Sequence, residues 1–127
     1  MKRKPPGRFK TIVIVIAVAV VAAFTVGSFL FPGRAFDPAA WQDEGQVQRG
    51  VRLAMADRLV ACGTLVRKSR AEVVGLLGEP PPTGYFADWD LVYWLGPERG
   101  FFGIDSEWLV LRLDADGRVV DNRIVRD

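Results

Sequence analysis

Catalysis usually begins with side chains that give, take or hold a proton, and this sequence supplies few of them. Its 127 residues include no histidine and a single cysteine. The usual acid–base group and triad base is therefore missing, and no thiolate pair or imidazole is present to build a zinc site. Carboxylates remain. Asp88 and Asp90 lie two apart in a segment that reads as a strand, so they share one face. Asp105 and Glu107 flank the start of a second strand, and both pairs read as solvent-facing. Asp114-Ala115-Asp116-Gly117 spells the opening of a calcium loop. It lacks the later ligands and the closing glutamate of that motif, so it reads as a hairpin turn. No Gly-x-x-x-x-Gly-Lys cradle for phosphates occurs. The pattern assigns no catalytic, cofactor-binding or metal-ligating residue, and the expectation is a protein that is not an enzyme and uses no cofactor.

The more informative side chains are aromatic. Tyr85, Phe86, Trp89, Tyr93, Trp94, Phe101, Phe102 and Trp108 crowd the second half of the chain. A small domain with one coverable sheet face does not bury all of them, and exposed contiguous aromatics mark interaction sites. Tyr85, Phe86, Phe101 and Phe102 are the candidate partner-binding residues. Phe101-Phe102 sits in a glycine-rich loop, where the pair either meets a partner or anchors the loop in the core. Cys62 ends Leu59-Val60-Ala61-Cys62, the spelling of a bacterial lipobox, but it lies far beyond any signal-like segment. It reads as a small buried side chain on a helix.

What positions these residues? Residues 1–10 form a basic tail with Lys2, Arg3, Lys4, Arg8 and Lys10, and residues 11–33 carry no charge. As a helix the apolar run would reach roughly 30 Å, one hydrocarbon thickness. It exceeds the about 7–15 apolar residues of a cleavable signal and ends in bulky side chains, so an uncleaved single-pass transmembrane anchor is expected. The basic flank predicts a cytoplasmic N-terminus and an extracytoplasmic C-terminal domain. Phe31, Phe36 and Trp41 would then sit near the outer interface or pack on the domain. Residues 34–45 read as a linker. Residues 46–127 read as the folded domain.

Within that domain, Val47, Val51, Ala54, Met55, Arg58 and Cys62 follow helical steps and predict a helix over residues 46–66. The stretch SRAEVVGLLGEPPP, residues 69–82, predicts a second and much shorter helix. Ser69 and Glu72 have capping-box spacing, Gly78 suits a helix stop, and three prolines follow. So short a helix is unstable alone and must lie on an apolar surface. That surface comes from DWDLVYWL (88–95), EWLVLRL (107–113) and RVVDNRIV (118–125), read as three strands. The expected fold class is α+β: two helices packed on a three-stranded antiparallel sheet, ααβββ, preceded by one N-terminal transmembrane helix.

The run 69–80, then Tyr93-Trp94-Leu95, Trp108-Leu109-Val110 and the Asp-Gly turn resemble the SmpA/OmlA, or BamE-like, domain family of bacterial envelope proteins. The resemblance covers roughly residues 51–127. It implies the same two-helix, three-strand fold and a non-catalytic accessory role in outer-membrane assembly, binding partner subunits and lipid. Two features depart from that family. No lipobox closes a short signal, and Arg67 stands where a glycine often precedes the helix-capping residue by two.

The functional expectation is a membrane-anchored, non-catalytic cell-envelope protein that binds an envelope protein or lipid headgroups. The alternative is an inhibitor or regulator of an extracytoplasmic enzyme, because the β-lactamase inhibitor protein is built from domains of similar architecture. With the five basic residues before Thr11 set aside, twelve Lys and Arg face fifteen Asp and Glu, so no nucleic-acid partner is expected. A small-molecule substrate is not expected either.

Overall fold

The computed structural model describes residues 7–30, 33–100 and 102–127. The chain divides into two units, Met1–Phe31 and Pro32–Asp127. The first contains helix α1, Arg8–Leu30. Its side chains are described from residue 10 to residue 23, and those of residues 11–23 are exposed. Among the described residues no helix is long and apolar enough to cross a membrane. This corrects the single-pass anchor expected over residues 11–33 and the membrane topology derived from it.

The second unit runs α2 (Pro38–Gln42), α3 (Glu44–Val47), α4 (Val51–Ala61), α5 (Arg70–Leu77), β1 (Leu91–Pro97), β2 (Ser106–Leu113) and β3 (Val119–Arg126). The chain is thus α+β with a three-stranded antiparallel sheet in the order β1-β2-β3. Among the described residues there are five helices, four of them in this unit, where a pair was expected. The stretch read as linker, residues 34–45, holds α2 and the start of α3, each begun by an aspartate. Asp37 accepts from the N–H of Ala39 and Ala40 ahead of Pro38, and Asp43 accepts from Gly45 N–H. Gly50, at φ +73°, then separates α3 from α4. A left-handed residue there divides what periodicity alone reads as one helix.

Helix α5 has both halves of its capping box. Ser69 Oγ accepts from Glu72 N–H at 3.2 Å, and the Glu72 carboxylate accepts from Ser69 N–H at 2.7 Å. Just before it, Arg67 takes φ +68°, a left-handed conformation that favours glycine. The geometry is held by two backbone bonds to β3: Arg67 N–H to Val119 O and Val119 N–H to Lys68 O, at 2.8 and 2.9 Å.

The strand period of two sorts the sheet into faces. Leu91, Tyr93, Leu95, Leu109 and Leu111 join Trp41, Leu53, Met55, Ala56, Leu59, Leu65, Val73 and Leu77 in the main core under the helices. Val92, Trp108 and Val110 form a second cluster on the opposite face, with Phe86, Trp89, Trp94 and Val125 packed on it. Both faces are therefore covered, the second by the loop that precedes β1. That loop also takes residues 88–90 out of the expected first strand. Trp89 N–H turns back to Phe86 O at 2.9 Å, and pairing starts at Leu91.

Candidate functional site

Three places gather polar or aromatic side chains. The first is where α5 ends. Trp41 is buried, and its indole N–H donates to Leu77 O at 3.0 Å. The Tyr93 hydroxyl donates to Gly78 O at 2.8 Å. Two carbonyls that a helix end leaves open are thereby satisfied by side chains from α2 and β1. Burial pushes the Tyr93 phenol up to about 12, with the Glu79 carboxylate adding to the shift. Beside them Arg52 lies 5.1 Å from the Trp41 ring centroid. It donates twice to Trp41 O, at 2.6 and 2.9 Å, and once to Trp94 O at 3.0 Å. Burial lowers its guanidinium pKa, and Glu44 opposes that shift. These residues border a cleft of about 510 Å³. Their polar groups are directed at backbone, so the arrangement is a strut at the α5 end rather than a reaction centre.

The second place is the outer face of the sheet. Tyr85, 53% exposed, stacks on Trp108 with centroids 5.2 Å apart and planes at 30°. Phe86 is half-buried at φ +51° and meets Trp108 edge-on at 6.2 Å. Arg112 lies 4.5 Å over Trp89. Of the two candidate residues here, Phe86 serves mainly to cover the sheet, and only Tyr85 is open to solvent.

The third place is the loop between β1 and β2. Glu107, 1% exposed, anchors it. Arg99 Nε meets its Oε2 at 3.0 Å, and Arg126 Nε meets its Oε1 at 2.9 Å. Arg99 also pairs with Asp57 of α4, while Arg126 donates to Arg99 O and faces Glu98. Glu98 N–H to Asp105 O, at 2.9 Å, closes the loop. From this fixed base Phe102 and Ile104 stand 78% and 80% exposed. Phe101, the other candidate in this loop, lies outside the described residues.

No protein-family model, curated protein or solved structure matches the chain. Function is therefore read from the geometry itself.

The carboxylates do not assemble an acid–base pair. Asp90 accepts from Leu113 N–H at 2.7 Å, and Asp88 is an exposed partner of Arg112 at 3.7 Å. Asp114 Oδ1 accepts from Asp116 and Arg118 N–H, each at 2.9 Å, and Gly117 has φ +74°, as a hairpin turn requires. Among the described residues no group of three or more potential ligands could hold a metal ion. Glu107 had read as solvent-facing, but it shares the parity of Leu109 and Leu111 and points inward with them. Cys62 had read as buried and is exposed beyond the end of α4. The sequence reading missed Ile104 and the Arg99–Glu107–Arg126 bridge. Strand parity was the available signal for Glu107; nothing local marked the arginines.

Proposed function

We propose that the Pro32–Asp127 unit is a non-catalytic binding module of the SmpA/OmlA type, which engages an envelope protein through the loop between β1 and β2. One observation carries the reading: Phe102 and Ile104 are exposed on a loop whose two ends are fixed by ion pairs and a backbone bond. Presenting apolar side chains to water is unfavourable, whereas transferring them to a partner gains about 25 cal/mol per Å². Loop ends that are already fixed lose little further entropy on binding. The carboxylates support the same reading, because those nearest the loop and sheet bind backbone or arginine.

The test is a Phe102→Ser/Ile104→Ser chain compared with wild type in quantitative affinity capture from bacterial envelope extract. A partner enriched by wild type should fall at least about tenfold, with circular dichroism and melting temperature unchanged. Equal recovery of every partner by a folded variant would refute the loop assignment.

A further inference from the structure

Residues 34–49 are bracketed by glycines. Gly33 and Gly50 both take left-handed conformations, at φ +91° and +73°, which glycine adopts without steric cost. Between them lie α2 and α3, of five and four residues. Helices so short are unstable alone, and the segment contributes no strand to the sheet. It is held in place only by what it touches.

Near its start, Arg34 N–H donates to Ala54 O at 2.9 Å, and Asp37 N–H donates to the Met55 sulfur at 3.3 Å. A thioether is a weak acceptor, so this end is lightly held. The anchor is Trp41. Its buried indole meets Tyr93 edge-on at 6.4 Å and donates to Leu77 O, while its carbonyl takes two N–H groups from Arg52. The cleft of about 510 Å³ runs beside this anchor. One wall is the segment itself, through Gln42, Glu44 and Gln48, and the other is the chain leaving α5, through Gly78, Glu79 and Pro81. The anchor therefore stands at the edge of open space.

We propose that residues 34–49 form a strap that opens as a unit about Gly33 and Gly50, withdrawing Trp41 from its pocket and widening the cleft while α4, α5 and the sheet stay folded. Hinges are a few residues that absorb a large backbone change, and parts of a fold held by few contacts open below the free energy of global unfolding. What remains has a core of its own: Leu53, Leu59, Val73, Leu91, Leu109 and Leu111 are buried with one another between α4, α5 and the sheet. The capping box of α5 sits at Ser69, at the other end of that helix from Leu77, so opening leaves it intact. The strap thus gates the cleft, because Leu77 and Tyr93 on its floor are buried while the indole is in place.

The experiment is native-state hydrogen exchange of the full chain, followed by NMR in urea below the unfolding transition. The Trp41 indole N–H, bonded to Leu77 O, and the amides of Trp41, Gln46 and Arg49, bonded within the segment, report on the strap. The amides of the central strand β2 report on global unfolding. The strap protons should exchange together, at least about tenfold less protected than those of β2 and with a weaker urea dependence, because a local opening exposes less surface. Ser69→Ala supplies an independent readout. It should lower β2 protection about fivefold, the usual effect of losing a helix cap, and leave strap protection unchanged, because the cap is made in both the closed and the open form. Equal protection and equal urea dependence of strap and β2 in the wild type, or a matching loss in both on Ser69→Ala, would overturn the proposal.

Discussion

Replacing Tyr93 by Phe removes one oxygen and isolates the strut at the end of α5. The hydroxyl bonds Gly78 O at 2.8 Å, and the rest of the ring is buried in the main core. Phe keeps that packing and leaves the carbonyl without its donor. Losing a bond of this kind costs about 1–2 kcal/mol. The phenol's pKa rises from 10.0 to about 12, mainly through burial. The sign follows from which form the fold prefers. Neutral Tyr93 is favoured, so its contribution is complete below pH 10 and is lost as pH rises through the window from 10 to 12. Two units correspond to about 2.7 kcal/mol at most. The hydroxyl borders an open cleft, and solvent screening reduces the figure to about 1–2 kcal/mol.

Urea unfolding followed by tryptophan fluorescence reads this directly, because Trp41, Trp89, Trp94 and Trp108 all lie in the Pro32–Asp127 unit. At pH 7.5 the midpoint of Tyr93→Phe should fall by about 1 M, given a slope near 1–1.5 kcal/mol/M. Near pH 11 the wild type should lose stability that the variant does not, and the gap should close by most of its neutral value. Parallel pH curves for the two proteins, or equal midpoints at pH 7.5, would refute the assignment of the Tyr93 hydroxyl to the helix end.

Ser69→Ala should lower stability by about 1 kcal/mol in the same assay, the usual cost of losing a helix N-cap. Glu72 reinforces the cap: the Ser69 backbone N–H holds its carboxyl below the usual range, with Arg118 contributing. That part of the stability is present at neutral pH and is lost as pH falls through the depressed value; Ser69→Ala keeps the backbone N–H, so wild type and variant should lose it together and their acid titrations should run nearly parallel. Arg67→Gly should raise stability by up to about 1 kcal/mol, since Arg67 occupies a left-handed conformation at φ +68° while its backbone bonds need no side chain. A loss instead would mean that its side chain contributes more than the strain costs.

Local signals were legible in the sequence, and long-range ones were not. Ser69 with Glu72 and Asp114 with Gly117 act within four residues, and both motifs are present as spelled. The period of β2 placed Leu109 and Leu111 inward. The same period places Glu107 inward, but a carboxylate there is stable only beside Arg99 and Arg126, 8 and 19 residues away in sequence. Helices α2 and α3, of five and four residues, are too short for a period and announce themselves only through Asp37-Pro38 and Asp43-Glu44. Trp41 belongs to the core because Leu77, 36 residues later, accepts its N–H. Tyr85 and Phe86 were read as equivalent, yet Trp108 leaves one open and draws the other in. No property of either residue alone distinguishes them.

The charged groups of the second unit explain why its exposed apolar tips carry the functional reading. Arg52 holds the carbonyls of Trp41 and Trp94, Asp90 the end of β2, and Asp127 the start of β2 through Ser106 N–H and Trp108 Nε1. Glu107 fixes the β1–β2 loop. Each of these charges is directed at the protein's own backbone or at an opposite charge, so moving a proton through one would loosen the element it holds. Phe102 and Ile104 stand exposed on the loop whose ends Arg99, Glu107 and Arg126 fix. Their substitution should change what the protein touches before it changes how the protein folds, whereas substitution of Glu107 should do both. That ordering of effects separates a surface built for contact from one that is merely exposed.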